Sequence, residues 1–238
     1  MITCIILAGG KGIRTQLDTP KQFILANEKP IFTYSAITLN NCSSIDNIIL
    51  VCPEEWMEYA QSWVSDLGIE KVKYFALSGK SRQHSIQSGL YVAATFMTSE
   101  DIIMVHDAAR PLIKPEVLNN LIAKASKFGS ALPVIKINDA VYTGACEDIV
   151  NGIVDETYKY HGQSPVCLNF GDYLYVNQNA TEEEILAAKG TCSLMLNNNY
   201  HIHTVMGDKS TFKITTQDDL QAFTKLLNEG NFFDCETI

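Results

Sequence analysis

Short apolar runs rich in β-branched residues alternate along this chain with longer amphipathic stretches. "TCIILA" (3–8), "NIILVC" (47–52), "VKYFAL" (72–77), "DIIMVHD" (101–107) and "SALPVIKI" (130–137) have the length and residue types of buried strands. Between them lie helical patterns: "IFTYSAITLNN" after Pro30, "EEWMEYAQSWVSDLG" with acidic residues at its start, "SRQHSIQSGLYVAATFM" and "KPEVLNNLIAKASKFG". Repetition of such units is the pattern of an α/β fold whose sheet is mostly parallel and flanked by helices. At 238 residues, 46% of them apolar, the chain can bury the core of one large domain or of a domain with an excursion.

From 139 to 160 the rhythm changes. "DAVYTGACEDIVNGIVDETYKY" alternates apolar and polar residues around Asn151-Gly152, a dipeptide that favours tight hairpin turns. The expectation is an antiparallel β-arm projecting from the main body and turning at those two residues. A two-stranded ribbon is marginal in water, so a partner subunit or the arm's own domain should cover it. Helix-like "TEEEILAAKG", a short "CSLML" segment, strand-like "HIHTVMG" and a final helix from "TQDDLQAFTKLLNEG" follow.

Charge and cysteine use exclude several functions. Eighteen basic against 27 acidic residues leave a formal charge of −9, which argues against a non-specific nucleic-acid surface. A phosphate ligand would need a local cationic pocket. The seven cysteines are scattered, with no C-x-x-C spacing, and read as reduced thiols and not as a disulfide or zinc framework. No apolar stretch reaches the roughly 18 residues needed to cross a bilayer, and the first residues lack a signal-peptide pattern. A cytoplasmic protein is expected, with neither membrane nor nucleic acid as partner.

The chemistry concentrates at strand ends. In "LAGGKGIRTQLDTPKQF" (7–23) an apolar strand stops at Ala8, and Gly9, Gly10 and Gly12 form a loop whose N–H groups can cradle phosphate oxygens. The usual phosphate-loop patterns do not fit. "SGKS" (78–81) has Tyr74 where a Walker A needs glycine, and a G-x-G-x-x-G begun at Gly10 meets Thr15. Arg14 and Lys21, separated by a turn-like segment, can converge on an anion held by the loop, as phosphoryl or nucleotidyl transfer requires. "HDAARP" (106–111) puts Asp107 at a strand end, where a carboxylate meets a ribose hydroxyl or Mg²⁺, whereas His106 reads as a structural histidine. "FKITTQDDL" (212–220) carries Lys213, with Thr216 as a helix cap and Asp218 and Asp219 as helix-dipole partners. His201 and His203 lack a third metal ligand, and no G-x-S-x-G elbow supports a serine hydrolase.

Taken in order, "LAGGKGIR…PKQF", "SGKSRQHSIQSGL", "HDAARP" and "FKITTQDDL" resemble the cytidylyltransferases that make CDP-methylerythritol or CDP-ribitol from CTP and a polyol phosphate. The resemblance runs through nearly the whole chain. It implies a Rossmann-like twisted sheet, a single nucleotidyltransferase domain over 1–238 with the arm as excursion, a homodimer formed through that arm, and dependence on Mg²⁺. By the same resemblance Ala8, Gly9 and Gly10, with Gly12, contact the nucleotide, and Gly79 and Ser85 meet the cytosine. Arg14, Lys21 and Lys213 bind the triphosphate and act as the catalytic cations. Asp107 stands beside the ribose or the metal, and Arg110 orders its loop.

The acceptor side departs from the family pattern. Asp139-Ala140 replaces Asp-Thr, a usual arginine falls on Glu156, and "QTPQ" reads "QSPV" (163–166). Lys159 and His161 are the nearby replacements for a lost phosphate-binding cation. A usual Thr-Asp falls on Lys189-Gly190, although Thr191-Cys192 follows. The expected activity is CMP transfer to ribitol 5-phosphate or a related alditol phosphate, with 2-C-methyl-D-erythritol 4-phosphate as the alternative acceptor. Two rival readings are a nucleotide-binding protein without transferase activity and a sugar-1-phosphate nucleotidyltransferase using another nucleotide.

Overall fold

The computed structural model describes residues 1–10, 19–155 and 157–230. Its first strand, β1 (Ile2–Leu7), is followed by a small hairpin of β2 (Leu25–Ala26) and β3 (Lys29–Pro30), then by β4 (Asn47–Cys52), β5 (Val72–Leu77), β6 (Ile102–Asp107) and β7 (Ser130–Lys136). All five runs read from the sequence as strands are strands. Later come β8 (Val141–Cys146), β9 (Ile149–Val154), β10 (Tyr160–Gly162), β11 (Val166–Asn169) and β12 (Thr204–Met206). The main sheet has the order β10-β7-β11-β6-β1-β4-β5, with β12 also on β7. The pairs β1–β4, β1–β6, β4–β5 and β7–β12 are parallel, while β11 runs antiparallel to both β6 and β7, and β10 to β7.

Helices cover both faces. α1 (Ile31–Asn41), α2 (Met57–Asp66) and α4 (Pro115–Phe128) lie on one side, where Leu39, Ala60, Leu118 and Leu121 pack with Cys4, Ile6, Ile48 and Met104. α3 (Arg82–Ala93) and α5 (Phe170–Asn179) lie on the other, where Ile86, Leu90, Tyr173 and Val176 meet Ile5, Ile49, Ile103 and Val105. Alternate residues of each central strand thus enter opposite cores, the consequence of a two-residue side-chain period in a sheet covered on both faces. α4 shows why the local sequence complies. Pro115 begins it, Leu118, Leu121, Ile122 and Ala125 recur on one buried stripe, and Lys127 sits in its last turn. α6 (Glu182–Ala187) and α7 (Ser193–Asn197) precede α8 (Gln217–Asn228), which Thr216 and Asp219 open with a capping box as expected of a helix start. No described helix is long and apolar enough to cross a membrane.

The arm exists as the β8–β9 hairpin, but it turns elsewhere. Glu147 and Asp148 form the tip, and Asn151-Gly152 lies inside β9. There Thr143 pairs with Gly152 and Gly144 with Val150, so Asn151 is an extra residue in the ladder. The Asn151 amide oxygen accepts from Thr143 Oγ1 at 3.3 Å. Asn-Gly suits an irregular backbone, and a β-bulge uses that freedom as readily as a turn does. The short strands β2, β3 and β10 had no sequence assignment, nor did two elements of the main layers. β11 is four residues long, too short to show a period, and α5 carries its apolar positions among Asn, Asp and Gly.

Candidate functional site

The carboxyl ends of β1, β4, β5 and β6 lie along one edge, where open α/β sheets bind ligands. The β1–β6 register pairs Leu7 with Asp107, so the chain leaving β1 enters the loop directly beside that carboxylate. Ala8 N–H still donates to Val51 O at 2.7 Å, and the loop begins at Gly9. Gln22 answers why "PKQF" follows the glycines. Its buried side-chain amide donates to Ala8 O at 2.5 Å and Gly10 O at 2.8 Å, clamping the start of the loop on both sides of Gly9. Lys21 is on the same one-turn helix (Lys21–Phe23), whose Phe23 is stacked on Trp56 at 4.6 Å.

The second loop comes from α3. Ser81 caps the helix by accepting from His84 N–H, and Ser85 Oγ accepts from Gly79 N–H at 3.0 Å and donates to Ser81 O at 3.1 Å. A Cβ at Gly79 would collide with His84, and one at Gly9 would collide with Ser78 Cβ. Glycine is required at both places by close approach. The structure therefore brings Gly9 against Ser78 and Ser85, and Ser85 in turn holds Gly79, so Gly9, Gly79 and Ser85 of the nucleotide site that the resemblance implied are neighbours.

Asp107 is the electrostatic centre. Arg82 donates to its Oδ1 from Nε at 3.1 Å and Nη2 at 2.9 Å, and Lys213 Nζ donates to Oδ2 at 2.8 Å. Arg110 Nε lies 4.0 Å from Oδ2. Burial alone would raise the Asp107 pKa, but Arg82 and then Lys213 hold it well below the usual carboxylate range. Three cations around one carboxylate leave the pocket positive, which suits an oligophosphate even in a protein of net charge −9.

The supports of this cluster are hydrogen bonds from distant chain segments. Asp107 N–H donates to Ser164 Oγ at 3.1 Å, and Ser164 Oγ lies 3.1 Å from His106 Nδ1. His106 Nε2 in turn lies 3.2 Å from Arg110 O, a carbonyl that can only accept. The arrangement fixes a neutral imidazole with its proton on Nε2. Burial pushes the His106 pKa down to about 3, so the expectation of a structural histidine is met. Arg110 Nη1 donates to Thr211 O at 2.8 Å, Thr211 Oγ1 to Leu112 O at 2.8 Å and Ile214 N–H to Ala109 O at 2.8 Å. These bonds dock the segment that carries Lys213 onto the loop after β6. Gln163 of "QSPV" accepts from Asp208 N–H and donates to Asp208 O, fastening the same segment from its other side.

The acceptor residues are less gathered. Ala140 and Lys159 are exposed at the base of the arm, and His161 is exposed on β10, at the edge of the sheet. Ile137 N–H donates to Lys159 O at 3.3 Å, closing that base. Gly12, Arg14 and Glu156 lie outside the described residues. Sequence reasoning gave no role to Gln22, Arg82, Ser164 or Thr191. Arg82 and Gln22 stood inside quoted motifs, but nothing in one sequence separates them from surface side chains.

The family described as IspD: 2-C-methyl-D-erythritol 4-phosphate cytidylyltransferase matches residues 2–229. The chain belongs to the IspD family. A ribitol-5-phosphate cytidylyltransferase of Lacticaseibacillus paracasei is 29% identical to this IspD-family chain over 96% of it and 99% of the relative. A 2-C-methyl-D-erythritol 4-phosphate cytidylyltransferase of Clostridium acetobutylicum is 31% identical, covering 97% of this chain and 99% of its own. The crystal structure of 2-C-methyl-D-erythritol 4-phosphate cytidylyltransferase from Francisella tularensis superposes with a TM-score of 0.78 at 21% identity, over 94% of this chain and 98% of that one. That likeness extends the agreement to the Rossmann-like fold. As a member of the IspD family the protein is a cytidylyltransferase.

The residues of this IspD-family chain fit a Mg²⁺ ion in one way. No group of three His, Cys, Asp or Glu stands together among the described residues. Mg²⁺ is commonly held by one or two carboxylates plus substrate phosphates, and ionised Asp107 at the strand end supplies the one carboxylate that this mode needs. Bound there, the ion would neutralise charge on the phosphate oxygens.

Proposed function

We infer that this protein transfers CMP from CTP to a polyol phosphate, with ribitol 5-phosphate as the acceptor, and releases pyrophosphate. The observation that carries the reading is the juxtaposition of the clamped glycine loop, the Gly79–Ser85 loop and the Arg82–Asp107–Lys213 cluster in a chain of this family. Gly9 and Gly10, with Ala8 and Gly12, take the phosphates, and Gly79 and Ser85 take the cytosine. Arg14, Lys21 and Lys213 neutralise the triphosphate as a phosphate oxygen of the acceptor attacks the α-phosphorus. Asp107 holds the ribose or the Mg²⁺. No general base is needed because a phosphate monoester is already ionised near neutrality, so positioning and charge neutralisation supply the rate.

The acceptor sits toward the base of the arm, near Ala140, Glu156, Lys159 and His161. Relatives named for ribitol 5-phosphate, at 29% identity in L. paracasei and 31% in Streptococcus agalactiae, support that substrate. The C. acetobutylicum relative, also at 31%, supports 2-C-methyl-D-erythritol 4-phosphate as the second reading. The whole chain acts as one domain in the cytoplasm and pairs with a second copy through the arm, whose Tyr142, Val150 and Ile153 are exposed.

Pyrophosphate release from CTP and Mg²⁺ across ribitol 5-phosphate, 2-C-methyl-D-erythritol 4-phosphate, glycerol 3-phosphate and several sugar phosphates tests the reading. Release with ribitol 5-phosphate supports it, and release with methylerythritol phosphate alone moves the protein to the second reading. CTP binding without release from any of these would overturn ribitol 5-phosphate and methylerythritol phosphate as acceptors and favour an acceptor outside the panel or a nucleotide-binding role.

A further inference from the structure

Arg82 joins three parts of the chain. It is the first residue of α3, one position after the cap Ser81 and within the turn that fixes Gly79 through Ser85. Its Nε and Nη2 both reach Asp107 Oδ1, at the end of β6. Nη2 also donates to Thr191 Oγ1 at 2.9 Å, in the loop between α6 and α7, and Thr191 O accepts from the buried Tyr173 hydroxyl at 3.0 Å. The segment leading to that loop has a second fastening on the same turn of α3. Glu182, the first residue of α6, accepts from Lys80 and lies 3.1 Å from His84 Nε2.

We propose that Arg82 is a positioning residue, which acts through Asp107 by holding the carboxylate in place when Lys213 moves to the nucleotide phosphates. The inference rests on the functional reading above, in which Lys213 serves the triphosphate. Lys213 and Arg82 occupy opposite oxygens of Asp107, so a shift of the lysine removes one of the two cations hydrogen-bonded to it. Arg110 Nε, at 4.0 Å, is beyond hydrogen-bond reach and its Nη1 is committed to Thr211 O. Among the described residues, Arg82 then remains the side chain directly bonded to the carboxylate. Its guanidinium also carries the geometry of Asp107 to the Gly79 turn on one side and to Thr191 on the other. Lysine at this position keeps the charge and loses the several fixed donors that make both contacts at once.

The test is a cycle of wild type, Arg82→Gln, Asp107→Asn and the double variant, read both as CTP dissociation constants by calorimetry and as kcat/KM for pyrophosphate release. Action through Asp107 predicts that each single change lowers kcat/KM by roughly 30-fold or more, and that the double variant is within about threefold of the poorer single. Arg82→Lys should recover part of kcat and leave KM for CTP near that of Arg82→Gln. Losses that multiply in the double variant, or an Arg82→Gln protein within about threefold of wild type, overturn the proposal. If Arg82→Gln fails to fold, Arg82→Lys takes its place in the cycle. Wild type that binds CTP but releases no pyrophosphate sinks the functional reading alone, and the cycle in CTP affinity then decides on Arg82. Absence of CTP binding in wild type sinks both.

Discussion

At the scale of single residues the site is an arrangement of charges whose states are set by burial. Lys213 is the described cation with a direct bond to Asp107 and a place in the proposed triphosphate clamp. Lys213→Ala should lower turnover about a hundredfold, near 3 kcal/mol of transition-state stabilisation, with a smaller loss of CTP affinity. Steady-state kinetics with the acceptor that works would show it, and unchanged kcat would remove the lysine from the mechanism. His106 gives a stability prediction. Asp107, Arg110 and Lys213 act on it, but burial dominates and holds its pKa at about 3, against about 6.5 in an unfolded chain. The unfolded state therefore binds the extra proton between those values, so stability is full above pH 6.5 and declines as pH falls toward 3. Between pH 7 and pH 5 wild type should lose about 2 kcal/mol more than His106→Asn, measured by urea unfolding at both pH values.

At the scale of elements, the loops work because particular side chains close them. Ser81→Ala removes the cap of α3 and the hydroxyl partner of His84, which should cost about 1 kcal/mol of stability and raise the dissociation constant for CTP, since the cap belongs to the turn holding Gly79. Thr216→Ala removes a comparable cap from α8 and should cost about the same stability. Calorimetric unfolding and CTP titration of both variants separate the effects: equal loss of CTP affinity in the two would disconnect the α3 cap from the nucleotide site. The strands were legible in the sequence because each central run is a block of β-branched residues bounded by polar ones. The arm's turn was not. Asn151-Gly152 carries the strongest turn signal in that segment, yet its freedom is used in a bulge, and only cross-strand pairing tells the two uses apart.

At the scale of the whole molecule the arm is the part that the rest of the described residues leave bare. β8 and β9 pair only with each other among the described residues, with Tyr142, Ile149, Val150 and Ile153 exposed. A two-stranded ribbon with such a surface needs a cover, and the proposed pairing with a second copy would supply one by symmetry. Replacing 141–154 by a short Gly-Ser link should convert a dimer into a monomer in sedimentation equilibrium; wild type that sediments as a monomer would refute the arm interface.

The chain's own order of residues determined the alternation of strands and helices and the glycines at the end of β1, because these follow from local periodicity and from residue type; the nucleotide roles given to Asp107, Lys21 and Lys213 rest on the resemblance of their motifs to the family. Tertiary structure alone decided that Leu7 lies beside Asp107, that Arg82 and Lys213 share one carboxylate, and that Gln22 clamps the loop that precedes it. Those contacts join residues 12 to 106 positions apart. Such pairings are set by strand register and by packing against two cores, which the spacing of residues along the chain does not encode.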